Sequence, residues 1–221
     1  MVSRMHNLHI FDCDGVLLDS NTAKMHALRN VFITIGAPIS FVNWAVEEFR
    51  SNFGRTRSQH FDVFKLKSNE KGFQFSSEKL NQAIRLYGES VELLYQNCNI
   101  INETLTFILR LCSNEQIFVV SASDQAELRE VLPSRIPIIK KEHVFGGPSS
   151  KLKNISHVLK ITGAKNAIFY GDAVQDARAS VAAGVSFIGL TKYAADYKAL
   201  KLFCANNNLK CMKSLPEEIS L

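Results

Sequence analysis

Three β-rich runs, Gln116–Val120, Ala167–Tyr170 and Ser186–Leu190, alternate with stretches at helical spacing, and a fourth run, Leu8–Phe11, stands near the start of the chain. Strands separated by helices cannot pair as hairpins, because a parallel neighbour needs a crossover and a helix is the usual one. The pattern predicts an α/β chain built on a doubly wound parallel sheet. In such sheets ligands gather outside the carboxyl ends of the strands. The residues standing at those ends are therefore where chemistry is to be sought.

The first run ends on Asp12-Cys13-Asp14-Gly15. On a strand, side chains at i and i+2 share a face, so Asp12 and Asp14 start out aimed alike while Cys13 points away into packing. Two like charges that close need an offset. A divalent cation, an arriving phosphate that needs both a nucleophile and a proton donor, or solvent at a plain Asp-Gly turn would each supply one. The second run stops at Ser121-Ala122, the third at Gly171-Asp172 with Asp176 just beyond, and Lys151 stands at the entrance of a helix reading Leu152–Lys160, after a turn at Gly146-Gly147-Pro148. Four separated polar features thus meet at one edge of the sheet. Each also has an ordinary use: Ser121 with Asp124 fits a capping box, Asp176 fits a helix cap, Asp19 fits the cap of the next helix, and Lys153 rivals Lys151.

The rest of the chain organises around that edge. A helix is expected over Ala23–Ile35, stopped by Gly36-Ala37-Pro38, and from Ser40 to Tyr95 the pattern is helical throughout. Phe41, Trp44, Phe49, Phe53, Phe61 and Phe64 give that stretch a core of its own. It reads as an inserted all-helical domain over residues 21–96, leaving 1–20 and 97–221 as the α/β core. Helices are expected over Asn102–Leu111, Gln125–Leu132 and Asp176–Ala183, and Pro137-Ile138-Ile139 reads as a short strand. The tail from Thr191 shows helical spacing over Tyr193–Phe203, a polar turn at Asn206-Asn207-Asn208 and a short helix near Pro216.

Charge and cysteine usage narrow the class. The net charge is +5, but the basic residues are scattered and Lys140-Lys141 is too short for a nucleic-acid patch. Five cysteines, without CxxC spacing, fit free thiols in a reducing compartment. No apolar stretch is long enough for a membrane span, and a cytoplasmic protein is expected.

Asp12-Cys13-Asp14-Gly15-Val16, Ser121 after an apolar strand, Lys151 before a helix, and Gly171-Asp172 followed by Asp176 together resemble the haloacid dehalogenase-like superfamily, in its branch of magnesium-dependent phosphatases and phosphomutases with an inserted helical cap. The resemblance runs to about Leu190. It implies a Rossmann-like core and a nucleophile, Asp12, that becomes an aspartyl phosphate. It implies Mg²⁺ on the carboxylates of Asp12 and Asp172 and the backbone carbonyl of Asp14, with Asp176 close by or acting through water. Asp14 would protonate the leaving group and later activate water, Ser121 and the amide of Ala122 would bind phosphoryl oxygens, and Lys151 would supply positive charge. Gly54-Arg55-Thr56-Arg57 followed by Phe61 looks like the family's substrate-facing segment, which would set Arg57 against the distal part of the substrate; Lys24 and His26 are further candidates for the cleft. The expected activity is a phosphatase acting on a small phosphorylated metabolite, a sugar phosphate or a phosphoglycolate-like compound, by a monomer or homodimer. A phosphomutase using the same intermediate is the alternative. A receiver-like signalling domain is a third reading, against which the helical insert and Asp14 both speak.

Overall fold

The computed structural model describes residues 8–111 and 115–216. In chain order they form β1 (Leu8–Phe11), α1 (Asn21–Thr34), α2 (Ile39–Ser51), α3 (Arg57–Lys67), α4 (Ser77–Asn97), α5 (Asn102–Arg110), β2 (Gln116–Asp124), α6 (Gln125–Arg135), β3 (Val144–Gly147), α7 (Lys151–Thr162), β4 (Ala167–Gly171), α8 (Val174–Ala182), β5 (Ser186–Leu190), α9 (Tyr197–Asn206) and β6 (Lys210–Met212). The six strands make one sheet in the order β3-β2-β1-β4-β5-β6. Every pairing is parallel. The order runs outward from β1 in both directions, so the β1/β4 boundary is the switch point at which such sheets open a crevice.

The two-residue period of the strands divides the core into two layers. Leu8 and Ile10 of β1, Phe118 and Val120 of β2, Phe169 of β4 and Phe187 of β5 pack with α7, α8 and α9 through Ile155, Val158, Ala177 and Leu200. Their alternates, Phe11, Val119, Ile168, Tyr170 and Ile188, face α5 and α6 through Phe107, Ile108, Leu128 and Leu132. Cys13 is fully buried in this second cluster, as its strand phase predicted.

The helical insertion is present as α1–α4. Thr56 fixes the start of α3 with a capping box, its hydroxyl accepting from the amide of Gln59 while Gln59 accepts from the amide of Thr56. The buried face of α4 is Ala83, Tyr87, Val91 and Tyr95, one residue per turn. Phe32 sits at the centre, edge-on to Phe41, Phe64 and Phe75 with ring centroids 5.1, 5.3 and 5.9 Å away. Of the expected lobe core, Phe41, Phe49, Phe61 and Phe64 are buried and Trp44 and Phe53 pack partly buried against them. The chain crosses between sheet and lobe twice, and the two passages run side by side. Asp19 donates its amide to the carbonyl of Asn99 at 2.9 Å, and Ile101 donates to Leu17 at 2.8 Å.

Several expectations are corrected. Pro137–Ile139 is not a strand; the strand lies at Val144–Gly147, where Gly147 pairs with Asp124 of β2 past a register shift rather than forming only a turn. Gly146 can enter a strand there because a side chain would run into the backbone of Ser123 and Gln125. β2 continues past Ser121 to Asp124, and α7 begins on Lys151 itself. Asp19 does not cap α1: the N-cap residue is Ser20, whose side chain makes no cap bond. The tail helix is Tyr197–Asn206, the edge strand β6 was not anticipated, and residues 213–216 are not helical. Cys112 and the end of the short helix expected near Pro216 lie outside the described residues. No described helix is long and apolar enough to cross a membrane.

Candidate active site

Three carboxylates converge at the switch point. Asp12 follows β1 directly, its amide donating to the carbonyl of Tyr170 at 2.9 Å, so the β1/β4 ladder itself aims the residue. Asp172 follows β4, and Asp176 lies in the first turn of α8. One ligand atom from each of Asp12, Asp172 and Asp176 falls within 4.8 Å of the others, and all three residues are buried. Asp176 also serves its helix, since Oδ2 accepts from the amides of Asp172 and Ala173 at 3.2 and 3.0 Å. Its other oxygen meets Lys151 Nζ, which lies 2.6 Å from Asp12 Oδ2. Gly15, at φ +70°, turns the chain away beneath this cluster; a side chain there would run into Asp172 Oδ2 and Asn21 Nδ2.

The charges do not balance. Burial pushes the Asp12 carboxyl up to about 7, against the pull of Lys151 and with further lift from the charges of Asp176 and Asp14. Burial also holds Asp172 well above the usual carboxylate range, reinforced by Asp176 and Asp12. Lys151 moves up despite burial, because Asp12 and Asp176 both favour its ammonium form. Three carboxylates around one ammonium leave negative charge that a hard divalent cation would neutralise, and an all-oxygen donor set suits Mg²⁺. Asp12, Asp172 and Asp176 are the residues that fit it.

Asp14 stands apart in a different setting. Its Oδ1 accepts from Ser20 Oγ at 2.5 Å, and its Oδ2 accepts from Lys24 Nζ at 2.6 Å and Ser123 Oγ at 2.8 Å. The Tyr95 hydroxyl lies 3.0 and 3.1 Å from the two oxygens. Lys24 Nζ further reaches Tyr95 at 2.6 Å and Ser123 at 2.7 Å. Burial alone would raise this carboxyl; the charge of Lys24, with hydrogen bonds from Lys24, Ser20 and Ser123, overrides it and holds Asp14 below the usual range.

The other candidates fall on both sides of expectation. Ser121 and Ala122 are buried at the β2 end, Ser121 Oγ accepting from the amide of Ser123 at 3.3 Å. The cap of α6 is Asp124, which accepts from Ala126 and Glu127, so Ser121 is spared that duty. Lys153 is exposed and Lys151 is buried against Asp12. Arg57 is held in an ion pair. Its guanidinium donates to both oxygens of Glu127 on α6, at 2.8 and 2.7 Å, and lies over the Tyr87 ring. The pair joins α3 of the lobe to α6. Beside it a cleft bounded by Arg55, Gln59, Gln175 and Arg178 opens onto Lys151.

Lys24 reaches the site, while His26 is exposed. Ser20, Asn21, Tyr95 and Ser123 were not foreseen. A signal existed for Lys24: with Leu28 and Val31 it forms the buried face of α1, and a lysine on such a stripe demands a partner. Nothing in the sequence shows where the Tyr95 hydroxyl points.

A family model for haloacid dehalogenase-like hydrolases matches residues 9–190. Among solved structures, a haloacid dehalogenase-like protein of unknown function from Agrobacterium tumefaciens is 20% identical, with a TM-score of 0.71 over 95% of this chain and 94% of that one. A predicted phosphoglycolate phosphatase from Haemophilus somnus is 16% identical, with a TM-score of 0.66 over 86% and 87%. A candidate beta-phosphoglucomutase from Bacteroides vulgatus is 19% identical, with a TM-score of 0.71 over 98% and 87%. These likenesses carry the fold. A search of curated proteins found no match.

Proposed function

The chain belongs to the haloacid dehalogenase-like hydrolase family, and from that premise we propose that it is a Mg²⁺-dependent phosphatase that hydrolyses a small phosphorylated metabolite, a sugar phosphate or phosphoglycolate-like compound, through an aspartyl phosphate on Asp12. The observation that carries the reading is the pairing of two unlike carboxylate settings at one strand end: Asp12 in an acidic, metal-fitting cluster with Lys151, and Asp14 in a separate hydrogen-bonded clamp.

The roles follow from these settings. Mg²⁺ held by Asp12, Asp172 and Asp176 would offset the repulsion between a carboxylate nucleophile and an anionic ester. A carboxylate oxygen of Asp12 attacks phosphorus, the bond to the leaving oxygen breaks, and that oxygen takes a proton from the Asp14 carboxyl. Water then attacks the aspartyl phosphate, Asp14 takes back a proton, and phosphate leaves with Asp12 restored. Asp14 must therefore enter the cycle protonated and is ionised between its two halves; Lys24, Ser20 and Ser123 favour the ionised form here, which suits the second half and opposes the first. Lys151 supports the negative charge spread over the transferring group, and Ser121 with the amide of Ala122 supplies neutral donors.

The test is phosphate release from an aryl phosphate and from a panel of phosphorylated metabolites, with and without Mg²⁺. Wild-type turnover that needs Mg²⁺ and is abolished by Asp12→Asn supports the reading. Activity retained by Asp12→Asn sinks it, and transfer of phosphate within one sugar scaffold, with little net release, makes the protein a mutase instead.

A further inference from the structure

The sheet does not supply all the contacts of the acidic cluster. Asn21, the first residue of α1, belongs to the helical lobe, yet its Nδ2 donates to Asp172 Oδ2 at 2.6 Å and to the carbonyl of Tyr193 at 2.9 Å. Both bonds use the same nitrogen, so turning the amide over would lose both. The side chain is pinned in place: only 2% of the residue is exposed, and the space above Gly15 is filled by Asn21 Nδ2 and Asp172 Oδ2 together. Its carbonyl oxygen, Oδ1, is buried and meets no donor among the described residues. A buried carbonyl without a donor carries a desolvation penalty that water can relieve, and Mg²⁺ usually keeps several of its waters when bound.

We propose that Asn21 is a positioning residue for the divalent cation, fixing the Asp172 carboxylate in its ligating orientation from the lobe side of the site. The inference rests on the magnesium reading above and adds a residue to it that no acidic motif contains. Groups that orient metal ligands from outside the coordination sphere typically change affinity by about 10–100-fold when removed. Asp172 has need of such a partner, because Lys151 serves Asp12 and Asp176 and makes no hydrogen bond with Asp172 among those described. The origin of Asn21 matters as well. Because it sits on α1, the seating of the lobe and the occupancy of the cation site share one hydrogen bond, and a shift of α1 would be felt as a change in Mg²⁺ affinity.

The experiment is calorimetric titration of the full chain with MgCl₂ alone, for wild type, Asn21→Ala, Asn21→Leu and Asp172→Asn. Asn21→Leu keeps a side chain of similar size without the donor, so it decides the matter if the alanine variant folds poorly. Wild type should bind, Asp172→Asn should lose binding, and both Asn21 variants should bind about tenfold more weakly or worse. The Mg²⁺ concentration giving half-maximal phosphatase activity should rise by the same factor, a split that general loss of structure would not produce. Wild-type affinity in Asn21→Leu overturns the proposal. Failure of wild type itself to bind Mg²⁺ overturns the magnesium reading beneath it, and the role of Asn21 with it.

Discussion

The interior of the helical lobe and the carboxyl edge of the sheet are buried to a similar depth and use that burial in opposite ways. In the lobe, Phe32, Phe41, Phe64 and Phe75 pack ring against ring, and His60, against Phe49 and Phe64, is pushed down to about 3 by burial and by the nearby charges of Arg55 and Lys24. It stays neutral. At the sheet edge Asp12, Asp14, Asp172, Asp176, Lys24 and Lys151 are all buried and held in a charged network, at a cost that apolar packing elsewhere must offset. The lobe is assembled for stability and the edge for reactivity, so changes in the two should separate the two properties.

The largest separation is expected at Asp12. Asp12→Asn should lower phosphate release by about 10³-fold or more, roughly 4 kcal/mol of barrier, while its metal-free melting temperature stays at or above that of wild type, because the amide relieves the mutual repulsion of the clustered carboxylates while Asp176 still pairs with Lys151. Phe32→Ala should do the reverse. Urea unfolding should show a loss of about 3–5 kcal/mol, as for other large rings removed from a packed core, with little change in Mg²⁺ affinity of the molecules that remain folded. A drop in Mg²⁺ affinity to match would mean that the two regions are not separable.

Smaller effects sharpen the same contrast. Mg²⁺ at about a hundred times its dissociation constant should stabilise wild type by about 2.7 kcal/mol, read as a rise in melting temperature, and should leave Asp172→Asn unmoved. The folded pKa of His60 lies below its unfolded value, so between pH 6.5 and 3 the unfolded chain binds more protons, and the stability present above pH 6.5 is lost as pH falls. The loss attributable to His60 should be about 2 kcal/mol between pH 7 and pH 5. Unfolding of His60→Leu across that range should show a correspondingly flatter pH dependence, and an unchanged slope would place a charge in the lobe after all.

What was legible in the sequence follows the same division. The parallel sheet, the helical insertion and the lobe's aromatic core could be read because apolar periodicity reports directly on burial: Leu8, Ile10, Phe118 and Phe169 fall in the phase that their strands require. The acidic edge was legible because Asp12, Asp172 and Lys151 stand at strand and helix ends, where the fold itself delivers them. β3 was misplaced because Gly146 and Gly147 carry turn propensity, whereas the pairing with β2 and the closeness of the Ser123 and Gln125 backbones decide their conformation. The ion pair of Arg57 was not legible because its partner, Glu127, lies seventy residues away on α6, and local spacing says nothing of such a pair. Asn21, Tyr95 and Ser123 were invisible for the same reason. Their importance comes from what the closed paths of the chain bring opposite them.

A covalent phosphoryl group on Asp12 can be tested on the residue itself. Wild type turning over an aryl phosphate in Mg²⁺ would be quenched in acid within the steady state, digested, and its peptides mapped by mass spectrometry. The peptide bearing Asp12 should carry a phosphoryl increment, localised to that side chain and missing from Asp12→Asn. Rapid turnover with no labelled peptide in a quench fast enough to capture an acyl phosphate, or a label on any other residue, would contradict it.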